Sequence, residues 1–84
     1  MSRPQHSSNP AAWAAFVAQY GVGDVVNGEV VSVVPFGAFI RVGDGVDGLA
    51  PQQLWPTLPT AGAKIAVRID AIDPDNRRVS FAPE

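Results

Sequence analysis

Residues 23–49 read GDVVNGEVVSVVPFGAFIRVGDGVDGL, and the fold turns on how this stretch alternates. Side chains along a strand point to its two faces in turn. Val26, Gly28 and Val30 share one parity, while Asn27 and Glu29 take the other. This is the pattern of a strand with one buried face. Gly28 inside it marks a bend or a close approach of backbone. Residues 30–34 are apolar on both parities, which a bulge near Ser32 explains. After Pro35-Phe36-Gly37 a second strand places Ala38, Ile40 and Val42 inward and leaves Phe39 and Arg41 on the outward parity. An aromatic ring and an arginine side by side, where no core needs them, suit the stacking of unpaired bases.

Working outward, Gly43-Asp44-Gly45 is a tight turn with glycines available for positive φ. Residues 46–50 form a short third strand. Residues 51–62 are a loop containing Pro51, Pro56 and Pro59 together with Leu54, Trp55 and Leu58. Trp55 is expected to cover one mouth of the fold. Residues 64–73 form a fourth strand with Ile65, Val67 and Ile69 inward, and Asp73-Pro74-Asp75-Asn76 is a turn by composition. Residues 78–82 form a fifth strand with Val79 and Phe81 inward.

Ahead of the strands, Asn9 is a good N-cap and Pro10 suits a first helical position. Trp13, Phe16, Val17 and Tyr20 recur on one helical face, which reads as a packing stripe. Gly21 can end the helix in a left-handed conformation. The expected organisation is a disordered tail over 1–8, a helix over 9–21 packed on a barrel, and the barrel itself over 23–84. The fold class is all-β: a five-stranded antiparallel oligonucleotide-binding (OB) barrel with a short N-terminal α-helix. An SH3-like barrel is the structural competitor.

Eighty-four residues allow one small domain with a modest core. The absence of cysteine excludes disulfides, thiolate catalysis and zinc-thiolate sites. The single histidine, His6, sits in the polar N-terminal stretch. No apolar run approaches the roughly 20 residues of a membrane helix, and the first residues lack the apolar segment of a signal peptide. A cytoplasmic protein without cofactor or metal is the expectation. Catalysis needs a nucleophile or a poised acid–base pair with an orienting partner, and none is apparent, so an enzyme is not expected. The net charge of −2 argues against nonspecific duplex DNA binding.

Several residues together resemble a known family. Residues 23–26 (GDVV) with Gly28, then Phe36-Gly37-Ala38-Phe39, Gly48-Leu49, Ile72-Asp73-Pro74 and Arg78-Val79-Ser80-Phe81 are similar, in order and spacing, to the S1 RNA-binding domain. The resemblance covers residues 23–83, and the helical lead-in resembles segments that precede such domains. It implies an OB barrel whose ligand face is built from two phenylalanines, a histidine, an aspartate and an arginine. These fall on Phe36, Phe39, Pro51, Asp73 and Arg78. Proline at the histidine position can neither donate a hydrogen bond nor stack as a heteroaromatic ring, and Gln52-Gln53 replaces the usual stretch that follows.

The expected nucleic-acid-binding set is therefore Phe36, Phe39, Arg41, Arg68, Asp73, Arg77 and Arg78. Both phenylalanines could instead be core. Asp73 could accept from base edges, hold Arg78, or cap its turn. Lys64 and Arg68 share the outward parity of the fourth strand, and Arg77 and Arg78 flank the last turn. The acids at Asp24, Glu29, Asp44 and Asp47 are expected elsewhere. The partner expected is single-stranded RNA, bound with low sequence specificity, with single-stranded DNA left open. A ribosome or RNA-processing complex is the candidate context, and the domain is expected as a monomer. Pro51 and the acidic balance support an alternative, a protein-interaction module that kept the barrel and lost its ligand face.

Overall fold

Valine-rich, alternating segments form strands because branched side chains pack well on a pleated surface. The computed structural model describes residues 10–43 and 45–84; the expected tail over 1–8 and the N-cap at Asn9 lie outside them. A helix, α1 (Pro10–Gln19), is followed by β1 (Val25–Val34), β2 (Gly37–Val42), β3 (Val46–Pro51), a single 3₁₀ turn (Gln52–Leu54), β4 (Lys64–Asp73) and β5 (Arg78–Pro83). The strands close into a barrel in the order β1-β2-β3-β5-β4. No described helix is long and apolar enough to cross a membrane.

The sequence suggests a purely antiparallel barrel, and the structure departs from it at one pair. Strand β3 pairs with β5 in parallel, at Leu49 and Ser80. A ring of five strands cannot alternate direction all the way round, so at least one neighbouring pair must run the same way. Here β1, β2 and β3 form a meander, β4 returns beside β1, and β5 folds back on β4. The odd step falls at the closing seam. Gly48 lies there, with no room for a side chain between β3 and β5: a Cβ would collide with the Phe81 ring and sit 2.7 Å from Val79 Cγ1.

Two bulges decide which residues face outward. In β1 the register shifts between Val30 and Ser32, as the apolar run predicts, so Val30 pairs with inward Ile40 while Ser32 pairs with outward Phe39. In β4 it shifts between Ile69 and Ala71. Strict alternation from Ile65, Val67 and Ile69 would turn Asp73 inward. The extra residue, Asp70, puts Ile72 opposite inward Val79 and Asp73 opposite Arg78 on the outer face.

Phe81, Ile40, Ile69, Val30 and Val67 are the largest fully buried side chains. Each burial stabilises by roughly 1.5–3 kcal/mol before entropy is counted. Helix α1 contributes Trp13 and Phe16 to the same core cluster, with Tyr20 packed against it. Val17, at the flank of this stripe, is exposed rather than buried. The helix ends without a left-handed residue at Gly21; that conformation occurs at Gly23. Asp24 Oδ2 accepts from the Gly21 N–H at 2.9 Å, so a side chain satisfies the turn instead. At the other end the Trp55 indole N–H donates to the Phe81 carbonyl at 2.9 Å, tying the proline-rich loop to β5.

Candidate nucleic-acid interface

The outward positions of β2, β3, β5 and the end of β4 enclose an open cleft of about 620 Å³. This lies within the roughly 300–1,000 Å³ common for ligand sites. Phe36, in the β1–β2 turn, and Phe39, on β2, line one side. Asp73, Asn76, Arg77 and Arg78, around the β4–β5 turn, line another. Leu49 and Ser80, paired across the parallel seam, also line it.

Phe36 is 57% exposed and Phe39 half-buried, while their neighbours Ala38 and Ile40 are fully inside. The two rings meet edge to face, with centroids 6.1 Å apart and planes at 88°. Neither ring is core. This contact holds the phenyl groups against one another and leaves apolar surface open to the cleft.

Asp73 caps its turn. Its Oδ2 accepts from Asn76 Nδ2 at 2.9 Å, and its Oδ1 lies 3.4 Å from the Asn76 backbone nitrogen. The Asn76 side chain holds the Asp73 carboxyl below its usual range; desolvation, the next largest effect, opposes it, and the backbone N–H groups of Asn76 and Asp75 and the Arg78 charge each add smaller help. The carboxylate stays ionised and oriented beside Arg78, its register partner. Capping and an outward position thus coexist, and Asn76, which sequence reasoning did not single out, provides the orientation.

Arg41 and Arg68 are placed differently. Arg41 Nε donates to Asp47 Oδ1 at 2.9 Å and its Nη2 to Oδ2 at 3.3 Å. Asp47 is not elsewhere, as expected of the acids, but buried in the cleft wall. The hairpin register carries it there: Val42 opposite Val46 sets Arg41 opposite Asp47. That pairing could have been read from the tight turn and the two opposite charges. The Asp47 hydrogen bond and then its charge raise the Arg41 pKa, with Glu29, its partner on β1, adding to this. Arg68 is not among the cleft-lining residues. It pairs with Val25 and Ala82, about 16 Å along β4 from Asp73 at the usual strand rise. Pro51 ends β3 opposite Gly37 and does not line the cleft. Among the described residues no group of three or more metal-ligating side chains occurs.

The sequence model of the S1 RNA binding domain family matches residues 19–82. The chain belongs to the S1 RNA-binding domain family. Among its curated relatives, it is 36% identical over 84 aligned residues to the small ribosomal subunit protein bS1 of Streptococcus pneumoniae, covering 90% of the chain and 21% of the relative. It is 32% identical over 78 aligned residues to bS1 of Mycobacterium leprae, covering 83% and 16%. The chain thus spans about a sixth to a fifth of the length of these relatives. Among solved structures, the S1 fold is matched by the uncharacterised protein MJ1198 of Methanocaldococcus jannaschii, with a TM-score of 0.69, 23% identity, and coverage of 77% of this chain and 93% of that one. It is also matched by Mycoplasma genitalium RNase R in complex with ribose-methylated single-stranded RNA, with a TM-score of 0.69, 16% identity, and coverage of 87% and 14%. At these identities the structural likeness is one of fold.

Proposed function

We propose that this S1 domain binds single-stranded RNA in the β2–β3–β5 cleft without catalysing a reaction on it. The observation that carries this reading is the juxtaposition of two outward phenyl rings with Arg78 and an oriented Asp73 in one cleft. An aromatic side chain stacked on a base contributes about 1–3 kcal/mol and tolerates any base. Phe36 and Phe39 act as the stacking platforms. Arg78 supplies charge for the backbone, and Asp73 presents acceptors to base edges or sugar. Specificity is low, because stacking and phosphate contacts do not read sequence.

The other arginines take secondary parts in this reading. Arg41, shared with Asp47, frames the edge of the platform beside Phe39 rather than offering a bare charge. Arg68, on the far stretch of β4, meets only a strand that continues beyond the cleft. The relatives named as small ribosomal subunit proteins make a ribosome-associated role the matching context.

The test is a titration of isotopically labelled protein with an oligouridylate of about eight nucleotides, within the site size of an OB fold. Amide shifts are expected around residues 36–41 and 73–79. Phe36→Ala combined with Phe39→Ala should remove saturable binding from a domain that remains folded. A folded double variant that binds as tightly as the parent would overturn the reading.

A further inference from the structure

Among the described residues, Arg77 is the one non-glycine residue with positive φ, at 51°. It closes the four-residue loop between Asp73 and Arg78, which are paired across β4 and β5. Turns of this kind end on a left-handed residue, and glycine or asparagine takes that conformation most easily. Arginine does so at a cost to the fold. Nothing in the packing repays it: Arg77 is exposed, and it makes no hydrogen bond or ion pair with the described residues. Observed strain of this sort is a pointer to function.

The left-handed turn has a geometric result. Neighbouring residues on a regular strand face opposite ways, yet Arg77 and Arg78 both line the cleft. We infer that Arg77 is a second phosphate-binding residue, presented beside Arg78 by its left-handed backbone, and that the domain carries a less favourable turn for the sake of RNA binding. This rests on the proposed RNA-binding role of the cleft and adds to it. The charge balance agrees. Arg41, which does not line the cleft, is matched by Asp47 of the wall, which leaves Asp73 as the one other carboxylate among the cleft-lining residues beside Arg77 and Arg78, with Asp75 in the same turn but outside the lining.

The experiment compares the parent with Arg77→Gly, Arg77→Asn and Arg77→Lys, using oligouridylate across a salt series together with thermal unfolding. Glycine and asparagine suit the turn, so their unfolding midpoints should equal or exceed the parent's. Their RNA affinity should nevertheless fall about fivefold at 0.1 M salt, and the log–log salt slope should become shallower by about 0.7, the loss of one phosphate contact on a single strand. Lysine should restore the slope. Arg77→Gly with parental affinity and slope would overturn the inference, as would Arg77→Lys behaving like Arg77→Gly. Failure of the underlying reading looks different, since the parent itself would then give no saturable binding.

Discussion

Arg41 and Asp47 face one another across β2 and β3, joined by two N–H···O contacts, yet they are unequally placed: the arginine side chain is 53% exposed and the aspartate side chain 6%. Losing one partner is therefore not equivalent to losing the other. Without Asp47, the Arg41 guanidinium can turn to water. Without Arg41, a carboxylate is left in the wall of the barrel with the Arg41 counter-charge gone. Burying a charge without its pair is costly. Arg41→Ala should thus destabilise more than Asp47→Ala, by about 1–2 kcal/mol after allowing for the solvent screening of the exposed partner. Urea unfolding of the two single variants and the double variant checks this, and the double variant should recover part of the Arg41→Ala loss.

Gly48 makes the parallel seam possible. A methyl group there meets Val79 Cγ1 at 2.7 Å and the Val79 carbonyl oxygen at 2.8 Å, and collides with the fully buried Phe81 ring. Backbone and a packed core side chain leave it no escape. Gly48→Ala should destabilise by about 1–3 kcal/mol or more. Loss of amide protection at Leu49 and Ser80 ahead of the β1–β2 ladder would place the damage at the seam, whereas a neutral outcome would contradict the close approach.

Asp73 gives a pH effect of defined sign. Its folded pKa is depressed, chiefly by the Asn76 side chain. The associated stability is present above the unfolded carboxyl pKa and is lost as pH falls through the folded value. Asn76→Ala should move the Asp73 titration upward, toward the ordinary carboxylate range, as read by carboxyl carbon NMR. The same substitution should reduce the difference in acid sensitivity between the parent and Asp73→Asn. An unchanged Asp73 titration in Asn76→Ala would show that the cap is not its cause.

Much of this fold was legible because its signals are local. The bounds of β4 follow from its period, and Phe39 is outward because Ala38 and Ile40 occupy the inward parity. What was hidden depends on pairing between distant segments. The parallel contact of Leu49 with Ser80 follows from ring closure rather than from either strand. The bulge at Asp70 shows no glycine or proline, yet it turns Asp73 toward the cleft. The packing side of α1 left Val17 exposed, which a helical stripe alone does not reveal. The place of Asp47 is not visible in its charge alone; it follows from the hairpin register that sets it opposite Arg41.

The right angle between Phe36 and Phe39 has a consequence for any strand laid across them. Successive bases in a helical stack lie parallel, and two perpendicular platforms cannot receive them that way. The chain must turn a corner between one nucleotide and the next, giving up its own stacking to do so. If the cleft binds as proposed, it would sort its ligands by pliability: a slack strand would conform, and a stiff duplex would be turned away.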